Sequence, residues 1–504
     1  MDKLSVAFSE FLMGALQVMA ALFIFAIGLL ALWVIVSYVL DVTQTQQAIR
    51  RNYPVIGRFR YFFEHLGGFF RQYFFAMDRE ELPFNRAQRS WIYRAAKNID
   101  STVAFGSTDN IGGSGRTMFV NCTFPTLGED GVPARPVTIG SNCKHPYTTA
   151  SFFNISGMSY GAISKPAVLA LSSGAKTAEC WMNTGEGGLS PYHLEGGADL
   201  VFQIGTAKNG VRDLEGNLSD EKLLEVAAHE QIKMFEIKMS QGAKPGKGGI
   251  LPGEKVTAEI AAIRGINIGE NAFSPNRHVD ITSFDELLDM VNRIRDVTGK
   301  PVGFKMVLGA PVQIDELLAA IIKRDIAEAP DFITVDGAEG GTGAAPMALI
   351  DSVGMSLRES LPTMVDKLKQ YGLRERIKVI ASGKLVTPSS VAWALCAGAD
   401  FITSARGFMF SLGCIQALQC NKNTCPTGIT THDLKFQRGL HPQQKAVRVA
   451  SYVNNMVKEV GIIAHSCGVT SPRALGRSHA RIVSGNGKTI GMDELFPELD
   501  PIKE

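Results

Sequence analysis

Residues 377–407 read IKVIASGKLVTPSSVAWALCAGADFITSARG. An apolar, β-branched run, Ile377–Ala381, gives way to the tight polar turn Ser382-Gly383-Lys384. A helical pattern follows from Pro388 to Ala397, and a second apolar run, Phe401–Thr403, leads into Ser404-Ala405-Arg406-Gly407. Strand, helix and strand in so short a stretch describe a unit of parallel sheet.

Working outward, the same pattern recurs. Further strand-like runs stand at Ser151–Ile155, Glu179–Asn183, Leu200–Ile204, Met234–Met239, Val302–Val307 and Phe332–Val335. Helical patterns lie between most of them, clearest at Asp220–Lys233, Phe284–Val297, Ile314–Ala327 and Ser356–Tyr371. Eight strands, nearly all followed by helices, predict an α/β fold, a (β/α)8 TIM barrel. A doubly wound open sheet usually has fewer strands and would carry a Gly-rich fingerprint after its first strand, which is absent. The longest interruption, Ser240–Ser283, follows the fourth strand on the catalytic face, where long loops are usually functional.

The composition agrees with a globular enzyme. The chain has 504 residues, 45% of them hydrophobic and 20% charged, enough for one large barrel with additions. A formal net charge of +2 leaves no basic excess for phosphates of nucleic acid, so no nucleic-acid partner is expected. Eight cysteines in this length are no disulfide scaffold; Cys122, Cys143, Cys180, Cys396 and Cys467 are scattered and read as small buried hydrophobes.

From Phe11 to Leu40 no residue is charged. About 20 apolar residues cross a bilayer, so this run predicts a retained transmembrane helix. Its length and its opening with Asp2, Lys3 and Glu10 argue against a cleaved signal peptide. Arg50, Arg51, Arg58, Arg60 and Arg71 follow it, against one lysine before it. The positive-inside rule then places a single-pass protein in the cytoplasmic membrane with its catalytic domain in the cytoplasm. Between Arg50 and Phe75 the arginines alternate with aromatics such as Tyr53, Phe59, Phe62, Phe63, Phe70 and Phe74. Two readings are open for this stretch: it lies in the headgroup layer, or its aromatics dock on the soluble domain. The expected divisions are a transmembrane helix (1–45), a juxtamembrane segment with a barrel-wrapping extension (46–149), the barrel (150–435) and a C-terminal helical extension (436–504).

Barrel active sites sit where strands end, and unusual residues cluster there. Strand one runs into Ser156-Gly157-Met158-Ser159-Tyr160-Gly161 and strand two into Asn183-Thr184-Gly185-Glu186-Gly187-Gly188. After strand four comes Gln241-Gly242-Ala243-Lys244-Pro245-Gly246-Lys247-Gly248-Gly249, and after strand six Asp336-Gly337-Ala338-Glu339-Gly340-Gly341-Thr342-Gly343. Lys305 lies inside strand five, where an ammonium needs a partner. The loops after strands six, seven and eight, with Arg406 at the last, read as a site for a phosphorylated cofactor. A single Gly-rich turn could be only a tight connection; several in strand order favour the phosphate.

Directly afterwards comes Cys414-x5-Cys420-x4-Cys425-Pro426. Zinc would want four ligands at shorter spacings. Three thiolates without an obvious fourth suit an iron–sulfur cluster lacking one iron corner, the alternative being a chance grouping of free thiols.

These segments resemble the FMN-binding synthase domain of glutamate synthases. The residues that carry the resemblance are Gly157–Ser164, Asn183–Gly188, Gln241–Gly249 with Leu251-Pro252-Gly253, Gly340–Gly343, and the cysteine segment through Gly428-Ile429, in order across about 150–435. The resemblance implies FMN, and a 3Fe–4S cluster on Cys414, Cys420 and Cys425. It implies a hydride passed from reduced FMN to the imine of 2-oxoglutarate and ammonia, giving L-glutamate. Glu186, Lys244 and Arg264 match positions that contact 2-oxoglutarate; Gly157, Met158, Ser159, Gln241, Lys305, Gly340, Gly341, Gly383 and Arg406 match positions expected against FMN.

Two departures shape the expected function. The sequence is expected to carry no glutaminase domain and no large C-terminal β-helix domain, so a separate ammonia-supplying subunit and a separate electron donor are expected, there being no NAD(P)H fingerprint. Ile250 stands where the family usually has a glutamine that touches the substrate, and Lys247 where it has an acid. The leading expectation is therefore a glutamate-synthase-like oxidoreductase. The alternatives are amine transfer like that of N-methylglutamate synthase, and a membrane-bound flavin and iron–sulfur electron-transfer protein.

Overall fold

The computed structural model describes residues 3–501 and divides into two units, Met1–Arg86 and Ala87–Glu504. In the first, one helix, Lys3–Thr43, is followed by the short helix Ala48–Asn52, the helix Gly57–Phe70 and a π-helical turn, Arg71–Phe75. From Val6 to Thr43 the first helix is long and apolar enough to cross a membrane. Its side chains are exposed almost throughout, and the buried exceptions, Ser37 and Asp41, lie near its C-terminal end. There Asp41 accepts from Arg50 (2.6 Å), Arg58 (2.8 Å) and the Val55 amide (3.0 Å), so one carboxylate fastens the chain as it leaves the helix.

The second unit is built on eight parallel strands: β1 (Phe153–Ile155), β2 (Met182–Asn183), β3 (Leu200–Ile204), β4 (Ile232–Lys238), β5 (Val302–Met306), β6 (Phe332–Asp336), β7 (Lys378–Ser382) and β8 (Phe401–Ser404). They pair in sequence order and close into a barrel, β8 meeting β1 at Ile402↔Phe153 and Ser404↔Ile155. Helices cover the outside, so nearly every strand residue is buried on both faces, and the strands read as continuous apolar runs. All eight are the strands expected from the sequence, with ends displaced by a few residues.

Differences arise where helices end. The helix expected over Asp220–Lys233 stops at Ala227, because Ile232 already begins β4. That expected over Ile314–Ala327 runs over Val312–Arg324; Asp325 is then extended and caps a 3-10 turn, Ile326–Glu328. Beyond residue 436 the chain is helical over Pro442–Ser466, whereas Ala480–Val483 and Thr489–Gly491 are strands. Ala480–Val483 pairs antiparallel with both Thr489–Gly491 and Thr117–Phe119.

The N-terminal mouth of the barrel is plugged by a hairpin, Val137–Ile139 with Tyr147–Thr149. The Tyr147 ring meets Trp181 edge-on at 6.2 Å, and Trp181 meets Phe401 at 5.0 Å. With Ile139, Val201, Met234, Phe332 and Ile380 they form a dry floor. Above it lies a polar layer. Buried Glu236 on β4 accepts from Asn183 (2.8 Å), Gln203 (2.6 Å) and Thr334 (2.6 Å), which come from three other strands. Each of those donors has its partner, so the layer is satisfied rather than strained.

Candidate active site

At the C-terminal mouth two neighbouring cavities take up most of the expected residues. The smaller, about 40 Å³, is lined by Gly157, Gln241, Lys305, Gly340, Gly341, Gly383 and Arg406, together with Asp336, Lys384 and Ser404. The larger, about 370 Å³, is lined by Ser159, Glu186 and Arg264, with Asn209, Arg212, Ile250, Leu251 and Phe273. Met158 and Lys244 are buried and line neither.

The smaller cavity is an anion site by its donors. Lys305, Lys384 and Arg406 converge on it, and the Asp336 carboxylate is occupied by the Gly242 amide at 2.8 Å. Among the described residues the buried Lys305 side chain makes no hydrogen bond or ion pair, a costly arrangement for an ammonium unless an anion joins it. Burial pushes the Arg406 guanidinium down to about 10, against the pull of Asp336, Glu339 and Asp351. Gly383 takes φ +135, which favours glycine. A Cβ on Gly341 would stand 2.8 Å from Arg406 Nε, so only glycine lets the guanidinium lie there. The loops after strands six to eight bring Gly340, Gly341, Gly383, Lys384 and Arg406 to this cavity, β5 adds Lys305, and such a donor set suits an anion.

A chain of contacts joins the two cavities. Lys238, at the end of β4, donates to Glu186 (2.8 Å) and to Gln241 (2.9 Å); Gln241 in turn donates to the Gly341 carbonyl (2.7 Å). Burial alone would raise the Glu186 carboxyl, but the Lys238 ammonium first, with Lys244 and Arg264, outweighs it and holds the group down at about 2. Glu186 is therefore an anion at neutral pH and a hydrogen-bond acceptor, not a proton donor. Burial and the neighbouring Lys238 push Lys244 down to about 8, which makes Lys244 the group that titrates near neutrality. Arg264 donates to the Tyr160 carbonyl (2.8 Å), while its buried Nε has no partner among the described residues. The glycines of these loops fit around both groups. A Cβ on Gly187 would come 2.7 Å from Arg264 Nη2, and one on Gly205 would come 2.5 Å from Glu186 Oε2.

Lys238 was missed from the sequence, although a lysine closing an apolar strand carries the same signal as Lys305. The long loop is ordered by a hairpin, Ile250–Leu251 with Ala272–Phe273, and by the helix Ala258–Arg264, which delivers Arg264.

Among the described residues no three His, Cys, Asp or Glu side chains converge to hold a single metal ion. An iron–sulfur cluster asks for a different arrangement, one thiolate on each of several irons, so its ligands stand apart. Cys420 and Cys425 lie near enough to push the Cys414 thiol up, as Cys425 does the Cys420 thiol. Burial pushes Cys414 up to about 12. Burial acts the same way on Cys425, but hydrogen bonds from Thr427 and Thr430 outweigh it and bring that thiol down. Three thiols are a donor set that could serve a three-iron cluster.

Residues 130–470 match the family model described as the conserved region in glutamate synthase. The glutamate synthase large subunit-like protein YerD of Bacillus subtilis is 39% identical over 96% of this chain and 99% of its own length. The archaeal glutamate synthase [NADPH] of Methanocaldococcus jannaschii is 35% identical over 69% of this chain, which spans 64% of that protein. Among solved structures, mandelate oxidase with (S)-4-hydroxymandelic acid aligns over 79% of this chain and 99% of its own, at TM-score 0.47 and 15% identity. With the conserved region covering the barrel and its cysteine segment, and a relative alignable over nearly the whole length, this chain belongs to the glutamate synthase family.

Proposed function

We propose that this protein is a glutamate-synthase-type oxidoreductase that reduces the imine of 2-oxoglutarate and ammonia to L-glutamate. It would hold FMN by its phosphate at Lys305, Gly341, Gly383 and Arg406, and a 3Fe–4S cluster at Cys414, Cys420 and Cys425. Bound there, FMN supplies the hydride. The observation that carries the reading is the relay Glu186–Lys238–Gln241–Gly341, which sets an anionic acceptor of the larger cavity in register with the expected flavin site.

The chain's own residues then have separable tasks. The unpaired Nε of Arg264 and the positive charge of Lys244 offer attraction for the substrate carboxylates. Ionised Glu186 accepts a hydrogen bond from the nitrogen being reduced, which orients it. Lys244 holds a proton up to about pH 8, so its charge beside the site persists at neutral pH. Ile250 and Phe273 give the larger cavity an apolar side. That side favours a second reading, amine transfer of the N-methylglutamate synthase kind, in which the nitrogen carries a methyl group.

The helix Val6–Thr43 supports a single-pass anchor, and the arginines after it support a barrel on the cytoplasmic side, supplied by a separate electron donor and an ammonia source. Reduced protein mixed anaerobically with 2-oxoglutarate plus ammonium, or plus methylammonium, tests both readings. Glutamate or N-methylglutamate formation names the reaction. A flavin indifferent to every 2-oxo acid would leave the electron-transfer alternative instead.

A further inference from the structure

Lys255 ends the 3-10 turn Gly253–Lys255 in the long loop after β4. It is 2% exposed, one of the largest fully buried side chains of the protein. Its Nζ donates to the Cys420 carbonyl (2.6 Å) and to the Ala162 carbonyl (3.2 Å) in the loop after β1. Among the described residues no carboxylate pairs with it, and the acidic groups that act on its charge are Cys420 and Cys425. A buried ammonium with only carbonyl partners is an incomplete arrangement, since carbonyl dipoles do not neutralise a full charge.

The same region is fastened at other points. Ser164 binds the cysteine segment through Ile429 O (2.8 Å) and Gly428 O (2.7 Å), and Asn423 donates to Glu254 O (3.1 Å). The cysteine segment, the long loop and the β1 loop are thus one fastened body with the Lys255 ammonium sealed inside it, beside two of the three thiols.

We propose that Lys255 is a positioning residue whose charge completes the iron–sulfur site: it offsets the negative charge of a cluster on Cys414, Cys420 and Cys425 and raises the potential at which that cluster accepts an electron. The inference rests on the cluster assignment of the preceding subsection. Reduction adds one negative charge to a group already negative through its thiolates, so a fixed neighbouring cation favours the reduced form. The bond to Ala162 also ties that cation to the loop that carries Ser159 into the larger cavity.

The test is an anaerobic redox titration of the full chain in detergent, followed by electron paramagnetic resonance, with iron counted separately. Lys255→Met should keep its iron while the ratio of reduced to oxidised cluster at the wild-type midpoint falls about tenfold, a shift of about 59 mV to lower potential. Lys255→Arg should stay near wild type. An unchanged midpoint in an iron-replete Lys255→Met protein overturns the proposal. If Lys255→Met loses its iron, Lys255→Arg decides: retained iron with a near-wild-type midpoint supports the charge role, and lost iron overturns it in favour of packing alone. Wild-type protein without iron would refute the cluster assignment itself, before any variant is compared.

Discussion

Replacing Lys238 by methionine removes the cation on which the Glu186 carboxylate depends. The two side chains are 11% and 16% exposed and stand 2.8 Å apart, so the pair is largely desolvated. Breaking a buried pair from one side costs about 3–5 kcal/mol, and the remaining solvent contact puts this one at the lower end. The acid itself gives a second figure. Its fall from 4.5 to about 2, against burial, reflects all the nearby cations with Lys238 first among them. At about 1.4 kcal/mol per unit that is ~3–4 kcal/mol in total, so about 2–3 kcal/mol belongs to Lys238. For a unit of about 400 residues, at about 2 cal/mol/K of unfolding entropy per residue, the melting temperature drops by about 2–4 °C. Because the folded-state value is depressed, this stability is full above pH 4.5 and is lost as the pH falls from there toward 2. The gap between wild type and Lys238→Met, measured by calorimetry in detergent, should therefore hold from pH 7 to 5 and narrow below 4.5. The double variant Lys238→Met/Glu186→Gln should recover most of the loss. Equal melting of wild type and Lys238→Met, with no coupling in the double variant, would refute the assigned pairing.

Three other perturbations separate the parts of the site. Arg406→Ala removes a charged donor from the phosphate cavity, so FMN binding should weaken roughly 10- to 100-fold while riboflavin binding, read by fluorescence quenching, hardly changes; equal weakening of both ligands would move the phosphate elsewhere. Turnover should decline as the pH rises through about 8, where Lys244 loses its proton, and Lys244→Met should lack that limb; a variant with the wild-type profile would take Lys244 out of the chemistry. Cys420→Ser should lose the cluster's absorbance and paramagnetic signal with little change in circular dichroism, and unchanged iron content would remove Cys420 from the ligand set.

The barrel was legible because its strands are buried on both faces and so are written as short apolar runs between helices and glycine-rich turns. The phosphate loops were legible for a related reason: glycines and cations gather after successive strands, and strand order alone places them together. What the sequence hid depends on closure. Glu186 follows β2 and Lys238 ends β4, and nothing local to either says that they meet. Glu236 sits mid-strand among apolar neighbours, while its donors come from β2, β3 and β6. Ala480–Val483 forms a strand only because Thr117–Phe119, far earlier in the chain, lies beside it. The burial of Lys255 has no local signature either, since the cysteine segment, distant in the chain, lies against it. Glu186 was expected as a substrate contact by the resemblance alone, and only the cations gathered around it show that it is an anion at neutral pH.

The central claim is the reductive amination, and one anaerobic measurement addresses it most directly. The full chain, loaded with FMN and reduced, is mixed with 2-oxoglutarate and ammonium while flavin absorbance is followed and amino acids are quantified. The account predicts that the flavin reoxidises only when both substrates are present, with one L-glutamate formed per flavin. A flavin that stays reduced with both substrates, or that reoxidises without forming glutamate, would contradict it.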